Sequence, residues 1–250
     1  KPSDFLRFVN TDFEFYSKQY LRLLNASAEI TPGLEHVCYN AWNGFTQQYQ
    51  ILLAPLKSTD TPDEIDRKIR ITAKFLDILL TWRLWNFRSI AYSTMQYAMF
   101  LVMRDIRGLS SAELAKLLYE KLQAEEENFD ANSEYHRQGI GLYLHQQNRK
   151  VLHRILARMT DYIEVQSGMA SRFEEYVGGG GVTYEVEHIW ADHFERHTDE
   201  FEHPADFAEH RNRIGGLLLL PKSFNASYGD KPYADKLEHY FSQNLLAKSL

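Results

Sequence analysis

Four consecutive glycines, Gly178 to Gly181, cut the sequence into two stretches that obey different rules. A run with that much backbone freedom is tolerated in the interior of neither a helix nor a strand. The chain on each side must therefore be organised by its own side-chain pattern. The two patterns differ in period, close to 3.6 residues before the glycines and close to 2 after them.

Before the run the pattern is helical throughout. Thr61, Pro62 and Glu64 form a helix start, with proline at the first helical position and an acid three residues after the capping threonine. Ile65, Ile69, Phe75, Leu76, Leu79 and Leu80 follow at helical spacing. Ser110 and Glu113 repeat the capping pair ahead of Leu114, Leu117, Leu118 and Leu122, and Leu152, Ile155, Leu156, Met159 and Ile163 form a further stripe. With segments near Phe5 to Leu24, Leu34 to Leu53, Ser89 to Met103 and Glu134 to His145, this predicts six to eight helices. No fixed-period repeat is present, so they form a bundle and not a solenoid.

After the run, Val182 to Ile189 alternates apolar or β-branched residues with polar ones and reads as a strand. Ile214 to Leu220, closed by Pro221, predicts a second strand, and Tyr233 to Leu246 a final helix. The predicted tail is strand, long loop, strand, helix. We place the domain boundary at the glycines, with a helical domain over 1–176 and a second domain over 177–250.

Charge narrows what such a chain can do. The 28 basic and 34 acidic residues leave a net −6, the wrong sign for holding nucleic acid by bulk electrostatics, so any polyanion site must be local. From Tyr176 onward seven Lys and Arg face twelve Asp and Glu, with six of the ten histidines. The single cysteine, Cys38, excludes an intramolecular disulfide scaffold and suits a reducing, cytoplasmic location. The greasiest stretch, Phe75 to Met103, is interrupted by Asp77, Arg83 and Arg88, so no membrane span is expected. The sequence opens on Lys1 and reads as an excised piece of a longer protein.

The residues that carry chemistry lie in the second domain. Glu187 and His188 end the first strand, Gly215 and Gly216 begin the second, and Asn225 follows it. A neutral imidazole can take a proton from water near pH 7. A carboxylate and an amide oxygen can share a hydrated divalent cation, and the three together could hydrolyse a phosphodiester. Adjacent strand residues point to opposite faces, so Glu187 and His188 can share one ion only where the strand ends or kinks.

This ordered set, Glu-His-Ile, then Ile-Gly-Gly-Leu-Leu-Leu-Leu, then Asn225 nine positions after Gly216 with Lys231 and Lys236 beyond, resembles the His-Asn-His (ββα-metal) nuclease domain at the C-terminus of GmrSD-type modification-dependent restriction enzymes. The block runs from about Tyr184 to Tyr240, and Tyr143 to Glu164 is loosely similar to the helical segment before it. The resemblance implies a mainly α protein, a helical bundle followed by a small ββα-metal domain. It makes His188 the general base, Glu187 and Asn225 the ligands of Mg2+ or Mn2+, and DNA the substrate. It also implies an anti-phage restriction role, with modification sensing by a nucleotide-dependent N-terminal domain whose signature does not occur here. Two positions depart from the pattern. Ala191 stands where the family usually has proline, and Gly216 where it has an asparagine that braces the loop bearing the base. Either Asn212 or backbone groups take over that brace, or the geometry at the base is looser; Asn212, Lys231 and His193 are the accessory or positioning residues.

Asp192, His193 and His197 have a spacing that could bind zinc. The lack of nearby cysteine and the acidity from Glu195 to His203 favour a solvated loop instead. Two basic stripes are candidate DNA contacts, Arg67, Arg70 and Lys74 on one helix face and Lys150, Arg154 and Arg158 at four-residue spacing on another. The tryptophans at helical spacing, Trp42, Trp82 and Trp85, are assigned to packing. The rival reading is a catalytically inactive helical interaction or DNA-binding module that kept a degenerate nuclease fold. Gly216 and Ala191 favour that rival.

Overall fold

A computed structural model describes residues 2–126, 128–130, 142–179 and 181–250. The chain forms two compact units, Lys1–Tyr135 and His136–Leu250.

The first unit holds α1 (Pro2–Arg7), α2 (Glu14–Ala28), α3 (Glu35–Trp42), α4 (Gln48–Leu53), α5 (Pro62–Trp85), α6 (Tyr92–Ile106) and α7 (Ser111–Gln123). Both predicted caps form: Thr61 accepts from the Glu64 amide, and Ser110 with Glu113 closes a reciprocal box. Each stabilises its helix by about 1 kcal/mol. α5 buries residues against two apolar clusters. Ile65 and Ile69 meet Leu23, Val37 and Leu52, while Phe75, Leu76 and Leu80 meet Met95, Met99, Leu114 and Leu118. The helix predicted over 34–53 is split, because Gly44 takes φ +77°, which ends α3 before α4 begins. Trp82 and Trp85 both meet the ring of Phe129 edge-on, as packing residues do.

The second unit is built around a short antiparallel pair, β1 (Tyr184–His188) and β2 (Leu217–Pro221), with Tyr184 opposite Pro221 and His188 opposite Leu217. Leu217 to Leu220 are all buried, as expected of a strand covered on both faces. α8 (Arg149–Gln166), α10 (Lys222–Tyr228) and α12 (Leu245–Lys248) pack on β2, and α10 also packs on β1. α9 (Pro204–Arg211) lies in the β1–β2 connection, and α11 (Tyr233–Tyr240) precedes α12.

Four differences from the predicted layout have physical causes. α8 carries Leu152, Leu156 and Ala157 into the second unit's core, so the division falls upstream of it and not at the glycines. Gly178, at φ +113°, kinks the helical turn over Glu175–Gly179 ahead of β1, and Gly181 takes φ +75°. The predicted long loop contains α9, which starts on Pro204 and buries Phe207. The helix predicted over 233–246 breaks because Asn244 starts α12 afresh, accepting from the Ala247 amide while its own amide reaches Leu219 O at 2.7 Å. Of the helix predicted over 134–145, residues 134–141 lie outside the described residues. In the remainder, Tyr143 bridges Arg213 antiparallel instead.

Candidate active site

β1 delivers His188 at its C-terminal end, half-buried. The ring Nε2 lies 2.8 Å from Asn212 Oδ1, at the C-terminal cap of α9. An amide oxygen only accepts, so Nε2 carries the proton and Nδ1 keeps its lone pair. Burial pushes the imidazole pKa down to about 4, and the Arg211 charge pushes the same way, against the Asn212 bond that favours the protonated ring. His188 is therefore an uncharged, oriented proton acceptor at neutral pH.

Asn212 is thus the side chain that holds the His188 ring. A Cβ added at Gly216 would sit 2.8 Å from Arg211 O, closer than any side chain tolerates, so the family's asparagine has no room there.

Glu187 is placed differently. Its carboxylate is buried and accepts from Lys236 Nζ at 2.6 Å, with Tyr240 Oη at 3.4 Å. The same ammonium donates to His188 O at 2.9 Å. β1 stays in regular register through His188, so the two side chains leave on opposite faces. Asn225, on α10, turns its amide NH2 to Glu185 Oε2 at 3.3 Å and Val186 O at 3.5 Å. Glu185 is also 3.3 Å from Lys222 Nζ. It lies three residues before His188, about 10 Å along an extended strand and on the other face. The expected ligand set of Glu187 and Asn225 does not fit one divalent cation beside His188, because a buried ammonium already neutralises the carboxylate. Among the described residues no group of three or more His, Cys, Asp or Glu side chains is arranged to hold a metal.

The remaining predicted residues fall elsewhere. His193 is engaged by Glu195 at Nδ1 and approached by Asp230 at 3.6 Å. Lys231 lies 3.2 Å from His239 Nε2 and over the Tyr228 ring. The loop expected to be solvated is organised around Trp190, which stacks on His197 at 4.4 Å and on His210 at 5.2 Å, with Phe207 beside them. Arg67, Arg70 and Lys74 are exposed on α5, in the first unit, and Lys150 is exposed on α8. Arg154 and Arg158 are half-buried and already engaged, so the second stripe is not a free basic face.

Lys236 has no role legible from its position in the sequence alone. Its signal is a lysine one turn before Tyr240 on an amphipathic helix, and both residues are buried. A lysine on an apolar face requires a buried acid, and Glu187 is that acid.

A strand-end histidine held by an amide, on an antiparallel strand pair followed directly by a helix, is an arrangement suited to activating water. Residues 129–250 match the family model of the GmrSD restriction endonucleases, C-terminal domain. The C-terminal part of the chain is thus GmrSD-like. Neither a curated protein nor a solved structure matches the chain. Among the described residues no helix is long and apolar enough to cross a membrane.

Proposed function

We propose that this chain is the DNA-cleaving effector of a modification-dependent restriction system, with His188 as general base. The observation that supports this most directly is the oriented, uncharged His188 ring, its Nε2 proton given to Asn212 and its Nδ1 lone pair left for water. In the reaction, Nδ1 takes a proton from water and the new hydroxide oxygen bonds to phosphorus. The bond from phosphorus to the leaving sugar oxygen breaks, and that oxygen takes its proton from solvent. The order of β1, β2 and α10 along the chain favours reading this part as a ββα domain. Recognition of the modification belongs to a nucleotide-dependent sensor partner, and the host role is defence against foreign DNA. The Mg2+ or Mn2+ requirement rests on the family resemblance alone, since Glu187 and Asn225 do not fit as the ion's ligands, and no step above runs through a metal.

Supercoiled plasmid incubated with the protein and Mg2+ or Mn2+ is expected to become open circles, and chelator to stop it. His188→Ala is expected to lower the rate by about 10²–10⁴-fold, with an unchanged circular dichroism spectrum. The rival, a catalytically inactive interaction module, draws on the Glu187–Lys236 pair, which fills a ligand position with an ammonium. Intact plasmid with folded wild-type protein, both alone and with the sensor partner added, decides for the rival.

A further inference from the structure

The two chain segments that carry the base and its brace also wall a cleft of about 340 Å³. Trp190 lies on one wall, two residues after His188. Arg211, Arg213, Gly215 and Gly216 lie on the other, on either side of Asn212. Arg211 is fixed by donation from Nε to Trp190 O at 2.8 Å. Arg213 buries an Nε that has no hydrogen-bond partner, and its outer nitrogen is 3.6 Å from Glu209. The Arg213 side chain is 37% exposed, so its outer guanidinium nitrogens, and not the buried Nε, are the donors that an acceptor from outside can meet. Two guanidiniums on one wall are also a local exception in a region where acid outnumbers base. The glycines leave the backbone bare, and a Cβ at Gly215 would meet nothing within 4 Å, so the mouth beside them is open. The Trp190 ring is already stacked on two histidines, so it does not serve as a platform for a base.

We propose that this cleft seats a backbone phosphate of duplex DNA beside the bond to be cut, with Arg211 and Arg213 as its counter-charges. The site rests on the nuclease reading above and sharpens it. It places the DNA path along the 189–190 and 211–216 segments, and it is blind to sequence because it grips phosphate and not base edges.

The test uses the full chain carrying His188→Ala, so that binding is read without scission. Anisotropy of a short labelled duplex is followed across a salt series. Arg213→Gln is expected to reduce the slope of log affinity against log salt by about 1. Gly215→Glu and Gly215→Lys place side chains of similar length and opposite charge at the open mouth. The glutamate variant is expected to bind on the order of tenfold more weakly than its parent, and the lysine variant more tightly. Equal affinities for the two Gly215 variants, an unchanged slope for Arg213→Gln, or no duplex binding at low salt each overturn the site. The scission reading is judged separately on plasmid: wild type that never cuts, while the Gly215 pair still splits by charge, removes the nuclease and leaves the phosphate site standing.

Discussion

His188 titrates far below a free imidazole because water reaches it poorly and Arg211 lies close by. The sign of the consequence follows from which state binds the proton more readily. The unfolded chain protonates this ring near pH 6.5 and the folded chain only near 4. The residue's contribution to stability is thus complete above about pH 6.5, is lost as pH falls toward 4, and is absent below. NMR titration of the ring should give a midpoint close to 4. Asn212→Ala should lower it further, because the bond it removes favours the charged ring. A midpoint near 6.5, or a rise in the variant, would contradict the burial and the brace.

At the scale of elements, the buried Glu187–Lys236 pair ties α11 to β1 and also grips the carbonyl of His188. Removing the ammonium leaves a carboxylate in a dry site, where it costs about 3–5 kcal/mol. Lys236→Met is therefore expected to lower the unfolding free energy by that amount, read as a lower urea midpoint at unchanged m. Adding Glu187→Gln to it should recover most of the loss, since no buried charge then remains. Wild-type stability in Lys236→Met would show that Glu187 reaches solvent and is open to a cation after all. Tyr240 reports on the same pocket, because burial and the neighbouring carboxylate raise its pKa well above the usual phenol value.

Over the whole molecule, each unit carries its own core. Leu218, Leu220, Tyr240 and Ala247 cluster within the second unit, and the two larger clusters lie within the first. A fragment of residues 129–250 should unfold cooperatively, with a near-ultraviolet signal from Trp190. A fragment of 177–250 should not, because it lacks α8, whose Leu152 and Leu156 are fully buried and which packs on β2 and α12. Comparable cooperative melts for both fragments would restore the boundary at the glycines.

Local rules were readable from the chain alone. The caps at Thr61 and Ser110 form because their partners sit three residues away, and the leucine run closed by Pro221 suits the strand that it forms. The place of His188 at a strand end came from the change of period, and its family from the spacing to Asn225. What could not be read were contacts between residues distant in sequence. Lys236 reaches Glu187 across 49 positions, Asn212 reaches His188 across 24, and Asn225 reaches Glu185 across 40. Spacing names the candidate groups, but which group meets which is set by how helices dock on the hairpin. A buried charge takes whichever opposite charge the docking presents, so the sequence determined the hairpin and its histidine, and the tertiary structure gave Glu187 an ammonium as its partner.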